Sequence, residues 1–204
     1  MRLTAGFAKG MSLVTPQATK RGPAVTRPTS DKIRDAVLNS LVASVAEAKV
    51  LDLFAGTGAV GLEALSRGSA SCVFVEQNQS VARVLGANIK ALEERAKACE
   101  QAIQTQIIVR EADKALALLA GQSFDIVFVD PPYELLLAFL GASDQPLRQI
   151  LARDGVLVVE SKATDLESLA NWSPEHWTCR RQKRYGDSAI SYLQLKSHEV
   201  ACDQ

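Results

Sequence analysis

Two stretches of this chain carry residue types that could do chemistry together. One is Asp130-Pro131-Pro132-Tyr133, directly after the apolar run Phe124-Asp125-Ile126-Val127-Phe128-Val129. Two prolines fix φ and remove N–H donors, so the turn is rigid and its carbonyls are free to accept. Asp130 and the Pro131 carbonyl give two acceptors, and Tyr133 gives a flat face on which a base can stack. That set suits a planar exocyclic amine, which has two N–H groups to place. Such an amine is a poor nucleophile because its lone pair is delocalised into the ring. Holding both hydrogens draws the nitrogen toward tetrahedral geometry and aims the lone pair, an effect of positioning and electrostatics. A purely structural Pro-Pro turn with a surface Tyr is the competing reading.

The other stretch, Val50-Leu51-Asp52-Leu53-Phe54-Ala55-Gly56-Thr57-Gly58-Ala59-Val60-Gly61, reads as a buried strand, a Gly-rich turn and a helix. A helix opening at such a loop offers free N–H groups and a positive dipole end to a nucleoside-type ligand. Gly56-x-Gly58-x-x-Gly61, with Glu76 downstream, also matches the dinucleotide fingerprint. Asp52 distinguishes the two ligand classes, because a carboxylate ahead of the first glycine repels a pyrophosphate. It can hold loop N–H groups or face a ligand's cationic amine. The order Asp52-x-Phe54-x-Gly56-x-Gly58 resembles the first motif of S-adenosylmethionine-dependent methyltransferases. Asp130-Pro131-Pro132-Tyr133 resembles the catalytic motif of amino-group methyltransferases acting on adenine, cytosine or guanine.

The segment Thr26-Arg27-Pro28-Thr29-Ser30-Asp31-Lys32-Ile33-Arg34-Asp35-Ala36-Val37-Leu38-Asn39-Ser40-Leu41 narrows the resemblance, as does the late Lys183-Arg184-Tyr185-Gly186-Asp187. With the central motifs in the same order, the chain resembles the bacterial small-subunit rRNA guanine-N2 methyltransferase family over nearly its whole length. Leu38 stands where that family usually has Phe, and Gly6–Met11 is less basic than the family's pattern. The resemblance implies S-adenosyl-L-methionine as cofactor, 16S rRNA as partner and transfer to a guanine N2 amine. It implies cofactor contacts from Asp52, Phe54, Ala55, Gly56, Thr57, Gly58, Gly61, Glu76, Gln77, Ala112 and Asp113. Asp130, Pro131, Pro132 and Tyr133 are expected at the base. Methylation of adenine N6 is the alternative within the class. A nicotinamide-dependent oxidoreductase and a non-catalytic RNA-binding assembly factor are alternatives outside it.

Charge is balanced overall but unevenly placed. Residues 1–34 carry Arg2, Lys9, Lys20, Arg21, Arg27, Lys32 and Arg34 against Asp31 alone, a surplus of six in a chain of net charge zero. A second cluster is Arg180-Arg181-Gln182-Lys183-Arg184. Two basic clusters flanking one fold point to phosphate contacts, with Lys9, Lys20, Arg21, Arg27, Arg34 and Arg184 as candidates for RNA. Arg34 has two further readings: a contact to the cofactor carboxylate, or an ion pair with Asp31 or Asp35. The four cysteines are scattered and there are two histidines, so neither a disulfide framework nor a multi-His metal site is indicated. A cytoplasmic, metal-free monomer is expected.

The elements that must position these residues follow from periodicity. Residues 2–27 read as a small β-hairpin or extended arm. A helix starts near Ser30 or Thr29 as cap, with Ile33, Val37, Leu41 and Val45 on one face. Strands are expected at Lys49–Leu53, Ser71–Glu76, Gln106–Arg110, Phe124–Val129 and Gly155–Glu160, with helices between them. Glu76 falls at a strand's C-terminal end, where it could accept hydrogen bonds from ribose hydroxyls. Asp113 could accept from an adenine amine or cap a helix. Trp177–Arg184 and Ala189–Leu195 close the chain as a hairpin. The expected fold is α/β and Rossmann-like: a seven-stranded doubly wound sheet with one antiparallel strand, as in class I methyltransferases. One domain over residues 1–204 is expected, with a basic N-terminal hairpin and helix extension (1–45) on a catalytic core (46–204).

Overall fold

In the computed structural model, residues 1–15 and 31–196 are described. Seven strands form one sheet: β1 (Lys49–Asp52), β2 (Ser71–Val75), β3 (Gln104–Ile108), β4 (Phe124–Val129), β5 (Leu151–Lys162), β6 (Trp177–Tyr185) and β7 (Ser188–Leu195). Their order is β3-β2-β1-β4-β5-β7-β6. β7 runs against both its neighbours, β5 and β6, and the other pairings are parallel. One reversed strand therefore makes both antiparallel pairs, as the late turn signal requires. Gly186, at φ +63, supplies that turn.

Side-chain alternation along the central strands builds two cores. Val50, Phe74, Ile126 and Val158 face one side; Leu51, Val75, Val127 and Val159 face the other. Helices α1 (Asp31–Ser40), α2 (Val42–Val45), α3 (Ala59–Ser66) and α4 (Gln79–Ala98) cover the first face through residues such as Leu38, Val45, Leu62 and Leu85. Helices α5 (Ala112–Leu118), α6 (Leu136–Ile150) and α7 (Leu166–Ala170) cover the second through Leu116, Leu140 and Leu169.

Several expectations shift. The first helix breaks at Leu41 into α1 and α2, although Ile33, Val37, Leu41 and Val45 are all buried as the spacing required. β3 begins at Gln104, two residues early, because its polar residues pair with β2 at the sheet edge, where one side of the ladder meets solvent. β5 begins at Leu151, reaching back across a register irregularity to pair with Phe124. The short α7 carries too few residues for a periodic signal. At the N-terminus an antiparallel bridge joins Arg2 to Ser12. Leu3, Ala8 and Leu13 sink into the first core, so residues 1–13 form a hairpin seated on the body rather than a free arm.

Candidate active site

The strand order reverses between β1 and β4, and the ends of these strands flank the crevice where open α/β sheets bind ligands. Leaving β1, the Leu53 N–H donates to the Phe128 carbonyl (3.1 Å) and the Ala55 N–H to the Val75 carbonyl (2.9 Å). The loop then closes on itself, the Gly58 N–H donating to the Ala55 carbonyl at 2.7 Å. Gly58 sits at φ +85, and a Cβ there would lie 2.4 Å from Leu85 Cδ1. Gly61 seats α3 on β2, since a Cβ there would meet the Phe74 ring at 2.4 Å. A side chain is opposed at both, for different reasons: at Gly58 chiefly by backbone conformation, with Leu85 having to shift, and at Gly61 by crowding alone.

Three carboxylates surround this loop. Asp52 is 5% exposed and accepts the Gly61 N–H at 3.2 Å. Burial, with the nearby charges of Asp130 and Glu76, raises its pKa to about 7, against the pull of the Gly61 and Phe54 N–H groups. Glu76 accepts the Gly56 N–H with Oε2 (3.0 Å) and the Asn78 N–H with Oε1 (2.7 Å). It thereby ties the end of β2 to the glycine loop. Each carboxylate oxygen can accept a second bond. The electrostatic result is a concentration of negative charge suited to a cationic ligand and hostile to a pyrophosphate.

At the end of β4, Asp130 is half-buried, Pro131 buried and Pro132 exposed. The Pro132 carbonyl accepts the Leu135 N–H (2.8 Å), starting the short 3₁₀ turn Tyr133–Leu135 that feeds α6. Phe54 meets Phe139 of α6 edge to face, with centroids 5.1 Å apart, which ties the segment leaving β1 to the helix that follows the Asp130 turn. The Tyr133 hydroxyl hydrogen-bonds Ser188 Oγ at 2.7 Å, and Lys162 Nζ lies 5.8 Å from the Tyr133 ring centroid. The Ala163 N–H donates to the Asp187 carbonyl (2.8 Å). The distant β6–β7 turn is thus fastened to the Asp130 turn and fixes the orientation of the Tyr133 ring.

Two proposed roles are corrected. Arg34 reaches neither cofactor nor RNA: its side chain is fully buried, donating to Asp31 Oδ1 (3.0 Å) and the Arg2 carbonyl (2.6 Å), with Glu63 at 3.6 Å. Of its three readings, the ion pair with Asp31 is the one formed. Asp113 is not a helix cap; Glu111 holds that position and Asp113 is exposed in the first turn of α5. Gln77, between β2 and α4, is exposed, and Ala112, the first residue of α5 after β3, is buried. Lys9 and Arg184 are exposed, whereas Lys20, Arg21 and Arg27 lie outside the described residues, as do the cap candidates Thr29 and Ser30.

Sequence reasoning missed Glu63. It accepts from the Thr4 N–H (2.8 Å), the Ala5 N–H (2.9 Å) and Arg67 Nε (3.0 Å), anchoring the N-terminal hairpin to α3. A signal existed: a single acid inside a helix otherwise made of small and apolar residues must find partners when buried. Asn88, discussed below, was missed as well.

Taken with the strand order, this acid-lined glycine loop and the adjoining Asp-Pro-Pro-Tyr turn define a class I methyltransferase. The family model described as Conserved hypothetical protein 95 matches residues 1–194. Ribosomal RNA small subunit methyltransferase D of Escherichia coli K12 is 30% identical over 202 residues, 97% of this chain and 91% of that protein. Its Haemophilus influenzae counterpart is 30% identical over 193 residues, 94% of this chain and 91% of that protein. The solved structure of yhhF from E. coli superposes with a TM-score of 0.77 at 30% identity, covering 96% of this chain and 98% of that one. The chain belongs to the Conserved hypothetical protein 95 family, together with these rRNA methyltransferases.

Proposed function

We propose that the protein transfers a methyl group from S-adenosyl-L-methionine to the exocyclic N2 amine of a guanine in small-subunit (16S) rRNA. The observation that carries this reading is the placement of Asp52, the last residue of β1, and Asp130, the first residue beyond β4, at the ends of adjacent parallel strands at the switch point. One acid addresses a cationic cofactor and the other an amine. The names of the relatives support the choice of rRNA.

The residues fit the cofactor. Asp52 is a buried acid whose pKa is raised to about 7, so a neighbouring cation would favour its charged form, and Gly56 and Gly58 bring backbone close without side chains of their own. Asp52, Gly56, Gly58 and Gly61 would hold it, with Phe54, Ala55 and Thr57 around it. Glu76 would accept from ribose hydroxyls with its remaining lone pairs, and Gln77 and Ala112 would flank the base. When bound, the cofactor supplies an electrophilic methyl on sulfur.

Asp130 and the Pro131 carbonyl accept the two hydrogens of the target amine, and Tyr133 stacks on the guanine. Held in this way, the nitrogen lone pair would be aimed at the methyl group that the cofactor supplies, with the sulfur as leaving group. The proton departs from the methylated nitrogen afterwards, so orientation matters more than a strong base. In a duplex this amine faces the minor groove, so the guanine must be unpaired or flipped out. Lys9 and Arg184, together with Lys20, Arg21 and Arg27, are proposed to contact phosphates.

The test is transfer from radiolabelled S-adenosylmethionine to unmodified small subunits, to naked rRNA and to DNA, with nucleoside analysis. Label in N2-methylguanosine is expected with the native protein, and Asp130→Ala is expected to bind cofactor but lose turnover at least about 100-fold. Full activity in that variant would refute the role of Asp130. Label in methyladenine alone would refute the choice of guanine.

A further inference from the structure

Asn88 lies within α4, away from the Asp130 turn, and is only 1% exposed. Both N–H donors of its carboxamide are used, and its oxygen accepts one bond. Oδ1 accepts the Val14 N–H at 2.8 Å, and Nδ2 donates to the Val14 carbonyl and to the Thr57 carbonyl, both at 3.0 Å. One side chain thus meets both backbone groups of a residue 74 positions away and the carbonyl at the apex of the glycine loop, 31 positions away. The reversed amide would set NH₂ against an N–H donor and oxygen against two carbonyls, so the partners dictate its orientation.

The bond to Thr57 matters because of where that peptide lies. Thr57 stands between Gly56 at φ +54 and Gly58 at φ +85, two residues with few steric constraints on their own backbone. Asn88 supplies a constraint from outside the loop. Val14 supplies little apolar anchoring, since it is 57% exposed, so its main-chain pair with Asn88 is what fastens the segment at this point. From Val14 the chain runs on toward Lys20 and Arg21.

We propose that Asn88 is a positioning residue that sets the cofactor loop by clamping Thr57 and the N-terminal segment at Val14 to one side chain. This rests on the cofactor reading above. Cofactor affinity is then partly determined by a residue at position 14 that lines no part of the site. Removing the clamp leaves the loop more conformations to lose when the cofactor binds, which raises the cofactor KM and leaves the methyl-transfer step in the assembled complex little changed.

The experiment is calorimetric titration of the full-length protein with S-adenosylmethionine and with S-adenosylhomocysteine, followed by steady-state kinetics on the RNA acceptor. It compares native protein with Asn88→Leu and Val14→Pro. The leucine has similar size and no hydrogen-bonding group; the proline deletes the Val14 N–H at an exposed position outside the helices and strands. We expect at least about tenfold weaker binding for Asn88→Leu and about threefold for Val14→Pro, with kcat at saturating cofactor within about twofold of native. If Asn88→Leu does not fold, Val14→Pro decides the matter. Native-like affinity in a folded Val14→Pro, or a loss confined to kcat, overturns the clamp. Native protein that binds neither ligand overturns the cofactor reading and the clamp with it.

Discussion

Replacing Asp52 by Asn is expected to make the cofactor-free protein more stable at neutral pH while weakening its ligand. Asp52 is buried among like charges, and its pKa rises from 3.8 to about 7. A raised folded-state pKa means the native state binds this proton more tightly than the unfolded chain does. The stabilisation is complete below about pH 3.8 and is lost as pH rises to about 7. At about 1.36 kcal/mol per pH unit, that interval corresponds to about 4 kcal/mol of destabilisation at neutral pH and above. Asparagine keeps the shape and the acceptor for the Gly61 N–H without the charge. It recovers about 1–3 kcal/mol of this, because the amide still loses hydration on burial. Urea unfolding without cofactor, from about pH 5 to about pH 8, measures the difference between the two proteins. We expect the Asn variant to gain on the native protein as pH rises, with the gap levelling off above about pH 7. Cofactor titrations should show the reverse order, with native binding weakening below about pH 7 as the carboxylate protonates. An Asn variant less stable than native at about pH 8, or a gap independent of pH, would refute the assignment of Asp52 as a buried, charge-stressed acid.

Three further outcomes are expected. Gly58→Ala should lose about 2–3 kcal/mol in chemical denaturation and bind cofactor more weakly, because φ +85 and the 2.4 Å approach to Leu85 both oppose a side chain. Arg34→Met should lose about 1–3 kcal/mol by leaving the Arg2 carbonyl without its donor, while Glu63 keeps Thr4, Ala5 and Arg67, and should leave the salt dependence of RNA binding unchanged; Arg184→Ala, at an exposed position, should do the opposite, lowering the salt slope by about 1 with stability within about 0.5 kcal/mol. Tyr133→Phe should lower kcat/KM for RNA by up to about tenfold, since it keeps the stacking face but frees the ring from Ser188, and Tyr133→Ala should lower it further.

What the sequence determined by itself is what local chemistry encodes. The glycines at 56, 58 and 61 and the Pro-Pro pair mark a tight loop and a turn within a few residues, because backbone freedom and proline geometry are properties of the residue. The apolar runs of β1, β4 and β5 and the helical spacing of Ile33, Val37, Leu41 and Val45 carry the architecture, because burial on both sheet faces or on one helix face is written in local sequence. Tertiary structure decided the fate of charges and amides whose partners lie far along the chain. Arg34 has the sequence context of a basic arm, yet Glu63 and the Arg2 carbonyl draw it inside. Asn88 looks like an ordinary polar residue on an amphipathic helix until Val14 and Thr57 arrive from two directions. Tyr133 names its partner only once β6 and β7 have folded back and delivered Ser188 to its hydroxyl. A buried polar group must find partners, but its own residue type does not say which; the packing of remote elements chooses them.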